Sequence, residues 1–169
     1  MLKTTTSAQA TGAGTGAQVD KIESGLQIIG RSLTQVRLHE RLLQDAGVRL
    51  DRAGATLLSK LSACSDAQRV TSLAEQLGVD APTVTRKIQQ LEREGLVSRH
   101  ADPDDKRATR IALTPTGKRT FERVLKARRT WLEHLLEGWD EKDLEVFAEL
   151  LSKFSDSLAH RMEEHRGNN

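Results

Sequence analysis

The sequence predicts a mainly helical α+β protein in which one small β-hairpin interrupts a run of helices. Three observations carry this. Apolar residues recur three and four apart through most of the chain, the spacing of amphipathic helices. Tyr is absent and there are only 3 Phe and 2 Trp, so Leu, Val, Ile and Ala must fill the core, which suits helix packing better than a β-sandwich. Finally, SRHADPDDKRATRIALTPTGKR, from Ser98 to Arg119, sets Asp-Pro-Asp-Asp between two short extended runs. At 169 residues the chain is long enough for one domain with a helical extension.

The opening residues 1–17, rich in Thr, Ala, Gly and Ser, read as a floppy tail. They lack the apolar stretch of a secretory signal. From Val19 to Ala46, Ile22, Leu26, Ile29, Leu33, Val36 and Leu43 line one face of a long helix over 18–48, stopped by Gly47. Asp51 can cap the next helix, which carries Ala55, Leu58 and Leu61. Two short helices follow with a tight joint. Thr71 or Ser72 opens the first and Gly78 closes it; Asp80 caps the second, Pro82 sits in its first turn, and Gly95 ends it. Two strands then flank the Asp-Pro-Asp-Asp turn. Thr114-Pro115 starts a helix with Phe121, Val124, Leu125, Trp131, Leu132 and Leu135 on its apolar side, and GWDEKD breaks it. The last helix carries Leu144, Phe147, Leu150, Leu151, Phe154, Leu158 and Met162, and residues 165–169 form a short tail. The expected order is four helices, two strands and two helices.

A helix, a sharp Gly turn and a second helix make a helix-turn-helix, whose second helix can enter a major groove. On a wheel of about 100° per residue, Val84, Ile88 and Leu91 of the stretch 81–94 face the core. Pro82, Arg86, Gln89, Gln90 and Arg93 lie opposite, with Thr83, Thr85 and Lys87 on the flanks. Arg suits guanine edges, Gln suits adenine, and Thr suits phosphate or a thymine methyl. The plain alternative is a solvated helix face, because polar exteriors are common.

The hairpin favours the nucleic-acid reading. A two-stranded flap directly after such a helix is the wing of a winged helix-turn-helix, here over 97–113 within a unit of 49–113. Asp and Pro at 102–105 suit a tight tip. Arg107, with Lys106 and Arg110 close by, is suited to a narrow minor groove, where negative potential is strong. Asp105 beside it would be repelled by phosphate unless it holds the guanidinium by a charge-assisted hydrogen bond. The alternative is turn chemistry plus charges that keep an edge strand from aggregating.

Asp105-Lys106-Arg107, five residues, Leu113-Thr114, two residues and Gly117 resemble the wing pattern of the MarR family of bacterial transcription regulators. Gly95-Leu96-Val97 with Arg99 is similar to the way that family leaves its recognition helix. The resemblance spans roughly Val19 to Met162. It implies that Thr83, Thr85, Arg86 and Gln90 contact the major groove and Arg107 the minor groove, with Gln89, Arg93, Asp105, Lys106 and Arg110 completing the DNA-facing set. It also implies a homodimer built from the first helix and from 114–164, which the generous apolar stripes support independently. The protein is then expected to be a cytoplasmic regulator, most simply a repressor, that reads a pseudo-palindrome and is released by a small aromatic or anionic effector. His39 and Trp131 are the candidate effector contacts.

Other classes fit less well. One cysteine, Cys64, excludes an internal disulfide framework and leaves a redox-sensing thiol as an alternative. A winged-helix module that binds protein is a second alternative, with Arg86 and Gln90 docking an acidic partner. The 5 His residues lack metal-ligand spacing, so neither metal nor cofactor is expected. No nucleophile elbow, phosphate loop or carboxylate pair points to an enzyme. No apolar run approaches a membrane span. A net charge of +2 permits a nucleic-acid partner without arguing for one, so the distribution of charge has to decide.

Overall fold

The computed structural model describes residues 8–103, 105 and 108–167. The elements are α1 (Ala8–Thr34), α2 (Val36–Asp45), α3 (Arg52–Ser62), β1 (Gln68–Arg69), α4 (Val70–Leu77), α5 (Ala81–Arg93), β2 (Val97–Ala101), β3 (Thr109–Leu113), α6 (Pro115–Leu135) and α7 (Glu141–Gly167). They divide into two compact units, the first up to Ala127 and the second from Arg128 onward.

The first unit holds the core. Leu57, Leu58 and Leu61 of α3, Leu73 and Ala74 of α4, and Val84, Ile88 and Leu91 of α5 pack with Leu96, Val97, Ile111 and Phe121. A smaller cluster joins Leu43, Ala46, Ala55 and Val124. Burying a Leu or Ile side chain contributes about 1.5–3 kcal/mol, so the positions that share one face of α5 decide which face points out. The helix ends follow their residues. Asp51 accepts the Gly54 N–H and Asp80 the Thr83 N–H, as N-caps do. Gly47, Gly78 and Gly95 take φ of 60°, 65° and 70° where α2, α4 and α5 stop.

Four expectations are corrected. The long first helix is two helices. Gln35 is extended (φ −62°, ψ 125°), and the Thr34 hydroxyl at this joint donates back to the carbonyls of Gly30 and Arg31. α1 also starts at Ala8, ahead of the tail boundary expected at Ala17. α4 opens at Val70, not at Thr71 or Ser72. Its N-cap position, Arg69, belongs to a strand, and no side chain caps it. That strand makes the hairpin a three-stranded antiparallel sheet of order β1-β3-β2, with Gln68 opposite Ile111 and Val97 opposite Leu113.

The second unit contains the end of α6, a turn through Gly138 at φ 87°, and α7, whose Asp143 N–H is capped by Asp140. Trp139 and Phe147 pack their rings 5.3 Å apart at 59°. Phe147, Leu151, Phe154, Leu158 and Met162 of α7 are all exposed, as are Ile22, Leu26, Ile29 and Leu33 of α1 in the first unit. Among the described residues no helix is long and apolar enough to cross a membrane.

Candidate nucleic-acid interface

α5 is held by its apolar side, with Val84, Ile88 and Leu91 buried. This leaves Pro82, Thr83, Arg86, Gln89 and Arg93 exposed, with Thr85, Lys87 and Gln90 half-buried. The outward side chains are ordered from the N-terminus. Asp80 accepts both the Thr83 N–H at 2.7 Å and the Thr83 hydroxyl at 2.8 Å, and Thr83 Oγ1 in turn accepts from Arg86 at 3.3 Å. The bonds from Thr83, with help from Arg86, hold the Asp80 carboxyl below the usual carboxylate value.

Other members of the expected set are engaged within the helix. The Thr85 hydroxyl donates to the Ala81 carbonyl at 2.8 Å. Gln90 donates to Glu94 at 2.9 Å and accepts from Lys87 at 2.8 Å, and Arg93 donates to the Gln89 carbonyl at 3.3 Å. Lys87 also pairs with Asp51 at 2.6 Å. Burial raises the Asp51 carboxyl, but Lys87 and the Gly54 N–H outweigh it, and its pKa falls. Thus the cap of α3 is tied to the flank of α5.

The hairpin follows at once. Thr114 at its end donates to the Gly95 carbonyl at 2.6 Å and accepts the Gly117 N–H at 3.0 Å, so one hydroxyl caps α6 and ties it to the exit of α5. Gly117 is buried against Leu96. A Cβ there would lie 2.9 Å from the Leu96 carbonyl carbon and closer still to its oxygen. The Leu-Thr-two-residues-Gly spacing therefore has a steric cause.

Where the hairpin strands give way to their connecting loop, Asp102 is the only buried charged residue among the described ones, at 2% exposure. It accepts from Arg69 Nε at 2.6 Å and from Arg110 at 2.9 and 3.3 Å. Arg110, expected among the DNA contacts, thus has its guanidinium on Asp102. Asp105 is exposed; its N–H donates to Asp102 at 3.3 Å and its carbonyl accepts from Ala108 at 2.9 Å. Lys106 and Arg107 lie outside the described residues, and so does Asp104. From sequence, Asp102 carries only turn chemistry. Arg69 goes unnoticed altogether, because a partner 33 residues away leaves no local signal.

Cavities border the described residues of this unit. One of about 480 Å³ lies between α3 and α5, beside Arg52, Thr56, Val79 and Thr83. Another of about 410 Å³ is lined by Leu61, Cys64, Lys118 and Phe121. Neither includes His39, half-buried in α2, or Trp131, half-buried on the α6 segment of the second unit. Cys64 is a half-buried thiol. No three His, Cys, Asp or Glu side chains among the described residues gather as a metal site.

A core-packed helix-turn-helix with a polar outward helix and an adjoining β-hairpin defines a winged helix-turn-helix protein. Residues 56–109 match the MarR family model. The uncharacterized HTH-type transcriptional regulator YxaD of Bacillus subtilis is 32% identical over 106 residues, 63% of this chain and 73% of the relative. A MarR family protein from Bacillus stearothermophilus superposes with a TM-score of 0.73 at 24% identity, covering 85% of this chain and 97% of the other. A point mutant of MepR from S. aureus, solved bound to an oligodeoxyribonucleotide, gives 0.59 at 22% identity, covering 81% and 97%. The chain belongs to the MarR family, whose members are transcription regulators and not enzymes.

Proposed function

We propose that two copies of this chain bind one DNA duplex at a pseudo-palindromic site and act as a cytoplasmic repressor that a small molecule releases. The observation that carries the reading is the outward face of α5, with Thr83, Arg86, Gln89 and Arg93 exposed beside the hairpin. α5 enters the major groove, where Arg86 and Gln90 meet base edges; Gln90 exchanges its bond to Glu94 for a base. Arg107, aided by Asp105 and Lys106, enters the minor groove. Thr83, Thr85, Gln89 and Arg93 contact backbone or bases, and Arg110 supports the wing through Asp102. MepR, a relative by fold, was solved bound to an oligodeoxyribonucleotide, which favours DNA over a protein partner. The effector is a small aromatic or anionic compound, with His39 and Trp131 as its contacts.

The test is binding of a fluorescent duplex, selected from a random pool, at three salt concentrations. If a dimer neutralises about six phosphates, log K falls against log salt with a slope near −5. Arg107→Ala weakens binding to every sequence, whereas Gln90→Ala relaxes preference at one base pair by about 1–3 kcal/mol. A flat salt dependence contradicts the reading.

A further inference from the structure

We propose that Asp102 is a positioning residue for DNA binding, a buried anchor that fixes the wing to the strand feeding the helix-turn-helix. This rests on the DNA-binding reading above. The Asp102 side chain is fully buried, while those of Arg69 and Arg110 remain 45% and 27% exposed. Its carboxylate gathers three segments. Arg69 comes from β1 and is also the N-cap residue of α4. Arg110 comes from β3, and the Asp105 N–H from the loop between β2 and β3. The Asp102 N–H closes that loop by donating to the Ala108 carbonyl at 3.2 Å.

A buried ion cluster is a weak source of net stability but is costly to break on one side. Its main effect is geometric. Asp has a short side chain, and two guanidiniums on one carboxylate leave little freedom for the strands that carry them. β1 runs without a break into α4, and α4 shares its core with α5. The wing and the recognition helix therefore meet DNA in a fixed relation set by Asp102.

The experiment is a double-mutant cycle on the full chain with the selected duplex. Asp102→Asn weakens binding about tenfold, equivalent to roughly 1.4 kcal/mol, in the otherwise native protein. In an Arg107→Ala background the same change has less than about a twofold effect, because the main wing contact that it would misplace is already gone. Amide hydrogen exchange accompanies it and reports on the anchor without DNA. Asp102→Asn raises exchange across 97–113 and at the start of α4 but leaves α3 protected. Should Asp102→Asn fail to fold, Arg69→Gln carries the same test, since it leaves Asp102 paired with Arg110. Equal losses in both backgrounds, or exchange unchanged across 97–113, overturn the proposal. If Arg107→Ala alone leaves binding unchanged, the minor-groove reading fails, and the exchange data still decide the anchor.

Discussion

At the scale of single residues, the clearest constraint is Gly117. Its Cα stands where α6 presses on the Leu96 carbonyl, which also accepts the Thr114 N–H at 3.1 Å. Any side chain there pushes α6 off the exit of the recognition helix. Gly117→Ala should destabilise the fold by the upper end of the ~1–3 kcal/mol typical of overpacking, read as a lower urea midpoint at unchanged slope. A wild-type midpoint would contradict the steric account. The same residue illustrates what a sequence discloses. The spacing of Leu113, Thr114 and Gly117 is visible as a pattern, but its cause is not, because the Leu96 carbonyl arrives from another element. Asp102 is the sharper case. Its bond to the Asp105 N–H is local turn chemistry and legible as such. Its pairing with Arg69 needs β1, and β1 has only two residues, too few to show alternation.

At the scale of elements, α5 is almost wholly legible, since its caps and its apolar spacing lie within the helix itself. Val84, Ile88 and Leu91 are buried, and Asp80 and Gly95 bound the helix. The break at Gln35 is not, because the apolar period of α1 runs on through Val36 into α2. The Asp80 cap gives α5 a pH signature. Its folded pKa lies below the ordinary 3.8. A depressed carboxyl contributes stability that is fully present above its unfolded value and is lost as pH falls through the folded one. Asp51, lowered in the same direction, behaves alike. Thermal midpoints measured from pH 5 downward should therefore fall below about pH 4. Asp80→Asn keeps the capping oxygen but not the charge, so its acid decline should be shallower. An identical decline would show that the Asp80 charge does not contribute.

At the scale of the whole molecule, the exposed apolar faces of α1 and α7 are what the proposed dimer would cover. Soluble monomers seldom leave such stripes in water. Phe154 is 40% and Leu158 53% exposed on α7. Phe154→Asp is expected to shift sedimentation from dimer to monomer and to weaken operator binding, with the helix content retained. A wild-type protein that sediments as a monomer would remove the two-site geometry. The central claim, that two copies clasp one duplex with α5 in the major groove and the wing in the minor groove, is tested most directly by dimethyl sulfate interference on the selected duplex. This reagent marks guanine N7 in the major groove and adenine N3 in the minor groove. The expected result is two guanine clusters about one helical turn, ~34 Å, apart, with adenine interference flanking them that Arg107→Ala abolishes. A single cluster, or adenine interference that survives Arg107→Ala, would contradict it.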